Sequence, residues 1–381
     1  MKRNELGKVY TEQNMYYNNN DVIYKRGSLY DGDNLNVVEL FCGCGGTSCG
    51  FEMAGYDILL GVDIHAPSIE TFQANHPSAS TILGDIRKVS PDDVKNLISN
   101  KKIDVLIGGI PCQGFSLNNK KRNYDDERNF LYIEFLRFVK ALQPKVVVIE
   151  NVSGMKSTKN GEFVETIKKE ISEVGNYSVT SAMLNAADYG VPQKRQRLVF
   201  VGIRDGVQFD FNDIQKTNGP GTGKEYFTVK DAIGDLPSLK AGESASKYTM
   251  PPFSDYQRLM RKNVSDDELT NHQAPNHPAE TVERIRNTPQ GEPMYPNYRQ
   301  RIRLDLNSPS PTQVSGGIRP QFQFGHPTDD RGLTIRERCR IQSFPDNYII
   351  KGGIVQGRVQ TGNAVPPLLA KALADAIRKY L

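Results

Sequence analysis

Apolar residues fall in short runs through the first two hundred positions, and stretches with helical spacing lie between them. NVVELF (36–41), DILLGVD (57–63), IDVLIGG (103–109) and KVVVIE (145–150) are β-branched and almost unbroken. That is the pattern of strands buried on both faces. APSIETFQANH follows the second run and FLYIEFLRFVKALQP precedes the fourth, each with helical spacing, the latter closed by a proline. YSVTSAMLN and RLVFVGI add two further strands. Strand and helix alternating in this way predict an α/β fold with a parallel sheet, whose ligands sit at the carboxyl ends of the strands.

The texture changes near residue 210. From there to about Pro327 the chain is rich in proline, glycine, asparagine and charge, and TNGPGTGK (217–224) punctuates the change. Helical pattern returns in LTIRERCRIQSF and AVPPLLAKALADAIRKYL. The expected organisation is a polar N-terminal extension (1–33), only partly ordered, a main domain (34–215), a smaller irregular domain (216–327), and a return (328–381) that completes the first. No internal repeat or heptad pattern is present.

Composition narrows the class. A chain of 381 residues can bury a large core. No run approaches the roughly 20 apolar residues of a membrane span, and the first thirty residues lack a signal peptide's apolar centre, so the expectation is a cytoplasmic protein. Five cysteines in such a chain do not make a disulfide framework. Cys42, Cys44 and Cys49 crowd one stretch, but C-x-C-x4-C lacks a second ligand pair, and His65 and His76 are not at finger spacing; no metal is expected. A net charge of +4 permits a nucleic-acid partner on a local patch without demanding one.

Glycines after a first strand let the backbone turn sharply against a ligand. Phe41, Gly43, Gly45 and Gly46 form F-x-G-x-G-G at that junction. Asp63 ends the second strand, where it could accept from both ribose hydroxyls, and Asp85 in LGDIR could read an adenine amino group. Ser48 stands where a dinucleotide fingerprint has its third glycine, which lowers nicotinamide cofactors and leaves another adenosine ligand open.

GGIPCQGFS (108–116) puts Cys112 just past the third strand, where Pro111 ends the ladder. A lone cysteine is more often a small core residue than a nucleophile; its company changes that reading. Glu150 finishes the next buried strand, an expensive place for a carboxylate, and burial that raised its pKa would let it share a proton near neutrality. Gln193, Arg195 and Arg197 alternate into a strand and so share one face, suited to a phosphate and a carbonyl oxygen, a solvated charged edge being the alternative. A thiolate, an acid and an arginine fit attack on an electron-poor ring that then takes a group from an adenosine-bearing cofactor. Cytosine and S-adenosylmethionine fill those roles.

On ELFCGCGG (39–46), GVD (61–63), GDI (84–86), GGIPCQGFS, ENV (150–152), QKRQR (193–197) and QTGNAVPP (360–367), in that order, the sequence resembles the DNA (cytosine-5-)-methyltransferases of bacterial restriction-modification systems. The resemblance implies a Rossmann-like S-adenosylmethionine-dependent methyltransferase sheet with a smaller target-recognition domain. It implies Cys112 as nucleophile toward cytosine carbon 6, Glu150 on ring nitrogen 3 and the amine, Arg197 on oxygen 2, and Arg195 on backbone phosphate. The cofactor would lie against Phe41, Cys42, Gly43, Cys44, Gly45, Gly46, Asp63, Ile64, Asp85, Ile86 and Pro111, with Leu131, Asn363, Ala364 and Val365 closing the pocket. Cys42 and Ala364 depart from the residues more usual there. Because carbon 5 is inaccessible in stacked duplex, the base must be flipped out.

Gln113, Ser116 and Gln193 are expected DNA contacts, as are Lys120, Lys121 and Arg122 in the polar loop after Cys112. YRQRIRLD predicts a strand with Arg299, Arg301 and Arg303 on one face, reading bases or phosphates. The expected partner is double-stranded DNA, the expected state a monomer, and a cognate restriction endonuclease would act on the same site. A transfer-RNA cytosine methyltransferase is the rival, but its Cys-Phe-Thr tripeptide is absent. MPPF (250–253) has the wrong leader for amino-directed methylation.

Overall fold

The computed structural model describes residues 15–18, 21–24, 35–110, 131–152, 162–264, 267–315 and 322–381. Strands β1 (Met15–Asn18) and β2 (Asp21–Tyr24) form a hairpin. They are followed by β3 (Asn36–Leu40), α1 (Gly46–Met53), β4 (Asp57–Asp63), α2 (Ala66–Asn75), β5 (Ser80–Leu83), α3 (Pro91–Leu97) and β6 (Val105–Gly108). Next come α4 (Leu131–Leu142), β7 (Val146–Val152), α5 (Glu162–Gly175), β8 (Tyr177–Asn185), the two-residue β9 (Gln193–Lys194) and β10 (Gln196–Arg204). Among the described residues they build a nine-stranded sheet in the order β1-β2-β5-β4-β3-β6-β7-β10-β8.

The five central strands, β5 through β7, are parallel, as the buried apolar runs predict. The edges are not. β10 runs antiparallel to both β7 and β8. Only residues 186–195 join β8 to β10, too few for a crossover between parallel strands, which takes a dozen or more. The chain therefore crosses once through α5, skips a place, and β10 doubles back into the gap. On the other side β2 joins β5 antiparallel, so part of the N-terminal extension belongs to the sheet edge.

Both sheet faces are covered. Val38, Leu40, Leu106 and Ile149 pack with Phe135 and Phe138 of α4 and Ile167 and Ile171 of α5 on one side. Val37, Val105, Val148 and Val199 pack with Phe51 of α1 and Phe72 of α2 on the other. Leu369 and Leu373 of α11, introduced below, join that second side.

The later part of the chain carries α6 (Val229–Ile233), α7 (Asp255–Met260), α8 (Ala279–Arg286), the short β11 (Ser310–Pro311), α9 (Ile335–Ile341), α10 (Gly353–Asn363) and α11 (Pro367–Ile377). A further core gathers Val229, Ile233, Tyr256, Met260, Leu304 and Phe324. Leu333 and Ile341 complete that core, so packing runs across the division drawn at residue 327.

α9, IRERCRI, is charged in sequence yet wholly buried. Most of its charges are matched by opposite charges from outside the helix. Arg340 meets Asp346 at 2.5 Å and Asp235 at 3.0 Å, and Arg331 meets Glu337 at 2.8 Å and Asp329 at 2.7 Å. The Arg331 guanidinium and its neighbours hold Glu337 well below the carboxylate range despite its burial. Removing one partner of such a pair leaves an unpaired charge in a dry site. Asp346→Ala should therefore cost about 3–5 kcal/mol in chemical denaturation, whereas Asp375→Ala, which breaks an exposed pair with Lys371, should cost under about 1 kcal/mol.

Candidate active site

The register of the parallel strands fixes what meets at their carboxyl edge. Leu40 lies opposite Val62 of β4 and Gly108 of β6, and Gly108 lies opposite Ile149 of β7. Phe41, Asp63, Gly109 and Glu150 therefore lie abreast at one edge. β3 ends in a hard turn. Phe41, not a glycine, sits at φ 58°, and Gly43 and Gly45 at 52° and 83°. An L-residue is rarely held there without a functional reason. The Cys42 amide donates to the Val62 carbonyl at 3.0 Å and the Gly45 amide to the Cys42 carbonyl at 2.9 Å.

Asp63 ties this turn to the second strand. One carboxylate oxygen accepts from the Gly43 amide and the other from the His65 amide, both at 2.8 Å. Each oxygen keeps a second lone pair. Burial raises its pKa above the ordinary aspartate range. Ile64 beside it is 69% exposed, a large apolar side chain turned outward next to a polar anchor. A Cβ on Gly43 would meet nothing within 4 Å, so the turn has an open side. On the closed side, a Cβ on Gly46 would lie 2.3 Å from the Val365 carbonyl. Asn363, Ala364 and Val365 thus abut the loop, with Asn363 exposed and Ala364 buried.

Other expected cofactor residues are placed less simply. Asp85 is gripped in a fork by Arg87, at 2.6 and 3.0 Å, which lowers its pKa; to read an amino group it must use remaining lone pairs. Ile86 is buried, its carbonyl held by Arg137 at 2.8 Å. Leu131 is partly buried against the α4 side of the core. The side chains of Cys42 and Cys44 are buried, and desolvation pushes both thiols far above their usual range, so they contribute backbone rather than sulfur chemistry. Cys49 and Cys339 are buried likewise. Among the described residues no three His, Cys, Asp or Glu side chains come together to hold a metal. Pro111, Cys112, Gln113, Ser116, Lys120, Lys121 and Arg122 lie outside the described residues; Asn151 holds the carbonyl of Ile110, the last residue before them, at 3.2 Å.

Antiparallel pairing decides where the arginines fall. Arg197 lies opposite Val152 and Val199 opposite Glu150, so Arg197 and Glu150 share a face as diagonal neighbours. Arg197 Nε is 2.5 Å from Glu150 Oε1. Burial lowers the guanidinium's pKa and the Glu150 charge draws it back up. Arg197 Nη1 donates to the Gln196 carbonyl. Close as they are, Glu150 Oε1 and Arg197 Nε are buried without a hydrogen bond among the described residues, an acceptor beside a donor.

The predicted alternation holds, since Gln193, Arg195 and Arg197 are buried while Lys194 and Gln196 are exposed. Two of the three have side-chain hydrogen bonds to distant parts of the protein. Arg195 spends Nη1 on the Gln313 carbonyl at 2.7 Å and Nη2 on the Gly362 carbonyl at 2.9 Å. Gln193 accepts from the Gln313 amide and donates to the Ile341 carbonyl. Both bind the sheet to the elements after residue 310.

The likeness to known proteins is extensive. The family description C-5 cytosine-specific DNA methylase matches residues 35–379. The chain belongs to the C-5 cytosine-specific DNA methylase family. It is 39% identical over 376 residues to the type II methyltransferase M.DdeI of Desulfomicrobium norvegicum, covering 91% of this chain and 89% of that one. It is 37% identical over 357 residues to M1.HphI of Haemophilus parahaemolyticus, covering 91% and 87%. A solved E. coli structure described as a prophage-encoded DNA modification methyltransferase superposes with TM-score 0.76 at 27% identity, covering 91% and 99%. The Dnmt2 methyltransferase of S. pombe, at TM-score 0.61 and 16% identity over 91% and 99%, shares the fold. The chain is a DNA cytosine-5 methyltransferase with an α/β methyltransferase fold.

The methylase's expected arginine strand is not one. Residues 299–300 lie in a turn, and only single bridges form, at Ile302 and Arg303. Arg299 is exposed, and Arg301 is buried with its guanidinium 4.7 Å from the Tyr298 ring centre. Arg303 Nη1 donates to the carbonyls of Ile285, Arg286 and Thr288 and so caps the end of α8. A different basic group, unmarked in the sequence, lines the methylase's interior. Arg338 is drawn down to about 9 by burial with Arg358 beside it, and Arg358 is lowered by burial and by Arg301. The Arg358 guanidinium has no hydrogen bond or ion pair among the described residues.

Sequence reading also passed over Glu39. Its carboxylate accepts from the Ser48 hydroxyl and, at 3.1 Å, from the Ser48 amide, anchoring the first turn of α1 under the glycine loop. Burial pushes its pKa up to about 7, with the hydrogen bonds from Ser48 opposing. A carboxyl raised on folding stabilises the protein below its unfolded pKa, and that stability is lost as pH rises through the folded value. Relative to Glu39→Gln, the wild-type methylase should lose up to about 3 kcal/mol between pH ~5 and ~8. Chemical denaturation at the two pH values measures this; an unchanged difference between the proteins would remove Glu39 as the cause.

Proposed function

We propose that this methylase modifies carbon 5 of a flipped-out cytosine in a specific duplex DNA sequence, protecting host DNA within a restriction-modification system, with S-adenosylmethionine as cofactor. The observation that carries the reading is the Glu150–Arg197 pair, at the same sheet edge as the strained glycine turn. The uncommitted acceptor and donor match one edge of cytosine, where an amine donates and oxygen 2 accepts. The turn fits the cofactor on its open side, with Asp63 offering lone pairs to ribose hydroxyls and Ile64 an apolar surface to adenine. Bound there, the cofactor supplies an electrophilic methyl group.

The protein's own groups do the rest. The Cys112 thiolate adds to carbon 6 and turns carbon 5 into a nucleophile. Glu150 holds nitrogen 3 and the amine, and Arg197 holds oxygen 2, so both stabilise charge that builds on the ring during addition. After carbon 5 is methylated, water removes its proton and the sulfur leaves, restoring the aromatic ring. Asn151 acts through backbone, fixing the chain at Ile110 two residues before the nucleophile. Arg301, Arg338 and Arg358 supply a low-dielectric basic wall for phosphate. The protein works as a cytoplasmic monomer on double-stranded DNA, and any cognate endonuclease meets it only through the shared site.

Duplex carrying 5-fluorocytosine should trap wild type as a covalent complex resistant to denaturant, because the proton on carbon 5 is replaced and elimination fails. Cys112→Ser should form none. Transfer RNA offered in parallel should be neither methylated nor trapped; methylation of transfer RNA but not duplex would reverse the substrate assignment. For the basic wall, Arg358→Gln should weaken duplex binding and reduce the slope of log affinity against log salt by about 1. The free protein should be no less stable, since an uncompensated charge is removed. Lower stability with an unchanged slope would make Arg358 structural.

A further inference from the structure

Behind the glycine turn, on the side away from the open face, four residues form a hydrogen-bonded chain that reaches the surface. Tyr348 donates its hydroxyl to the Cys44 carbonyl at 2.5 Å. His76 Nε2 lies 3.2 Å from the same hydroxyl oxygen, and His76 Nδ1 lies 3.0 Å from Glu52 Oε2. His76 ends α2 and is fully buried, Tyr348 is 4% exposed, and Glu52 on α1 reaches solvent. Gly45 fits tightly against this chain. A Cβ there would stand 2.7 Å from both His76 Nε2 and the Tyr348 hydroxyl. The Cys44–Gly45 peptide is thus held at both ends, its carbonyl by Tyr348 and its N–H by the Cys42 carbonyl at 2.9 Å.

We propose that His76 and Tyr348 are positioning residues for the cofactor turn, and that the protons on His76 set how firmly they hold it. The inference rests on the reading of the turn as the cofactor's seat.

Proton counting gives the mechanism. A tyrosine has one hydroxyl proton, and here it goes to the Cys44 carbonyl. The hydroxyl oxygen must then accept from His76, so Nε2 carries a proton. An ionised Glu52 can only accept, so Nδ1 carries one as well. The chain is complete only with the ring doubly protonated. When the ring holds one proton, the Tyr348 hydroxyl can serve either Nε2 or the Cys44 carbonyl but not both, or else the Glu52 link is lost. Burial pushes Tyr348 far above its ordinary range, so it does not itself titrate at working pH. The other titratable groups near Tyr348 are the thiols of Cys44 and Cys49, held protonated by burial, and the Glu39 carboxyl.

Glu52→Gln separates this role from simple packing. A glutamine amide can donate to Nδ1, so the neutral ring with its proton on Nε2 completes the chain at every pH. The measurement is the dissociation constant of S-adenosylmethionine for the full-length protein by calorimetry, from about pH 5.5 to about 8.5. The ratio of wild type to Glu52→Gln should be near one where the ring carries both protons and rise roughly fivefold to tenfold where it carries one, the equivalent of one buried hydrogen bond. Tyr348→Phe should bind roughly tenfold more weakly than Glu52→Gln throughout. A ratio that does not change with pH, or a Tyr348→Phe protein that binds like wild type where the wild-type to Glu52→Gln ratio is near one, overturns the relay. Failure of wild type to bind S-adenosylmethionine at any pH overturns the cofactor reading beneath it.

Discussion

The site depends on a strand that runs the wrong way. β10 pairs antiparallel with β7, so its first residues, not its last, stand at the carboxyl edge of the parallel strands. Were β10 parallel like its central neighbours, Arg197 would lie at the far edge from Glu150, about 20 Å away for strands of this length. Reversal instead sets guanidinium and carboxylate in contact at 2.5 Å, diagonal across two strands and largely out of water. In that setting each charge is tolerable because of the other. A ring that inserts beside them meets charges already oriented, with little reorganisation left for the reaction.

The same edge collects everything else by register. Leu40, Gly108 and Ile149 lie abreast, so the turn after β3, the chain leaving β6 and the acid ending β7 are neighbours before any side chain is chosen. The turn is then fixed from several directions. Asp63 holds its Gly43 amide, Glu39 anchors the helix beneath it, and Tyr348 holds the Cys44 carbonyl from behind. The elements after residue 330 thus act on the cofactor turn as well as on the second core. α9 makes this possible by carrying charges inside, matched by Asp235, Arg331 and Asp346.

Much of this was legible in sequence, for local reasons. DILLGVD and YSVTSAMLN match their strands to the residue. Glu150, Asp63 and the glycine turn were visible because a strand end is a local event. What escaped depends on partners distant in the chain. The face shared by Gln193, Arg195 and Arg197 follows from alternation, but the carbonyls of Gln313 and Gly362 that claim Arg195 lie over a hundred residues on. Arg303 looked like a reader of bases until α8 ended beside it. IRERCRI predicts a helix, but Asp235, which lets Arg340 be buried, lies about a hundred residues away in the chain. His76 sat in an expected helix with no mark that Glu52 and Tyr348 would bracket it.

The central claim is that Glu150 and Arg197 act on the base as one unit. A double-mutant cycle of Glu150→Gln and Arg197→Gln, read as single-turnover methylation rates on cognate duplex, measures their coupling directly. The account predicts that the double variant is at least about tenfold faster than the product of the two single losses would give. Losses that simply multiply would mean that the two side chains serve the reaction independently, and the antiparallel juxtaposition would have no catalytic meaning.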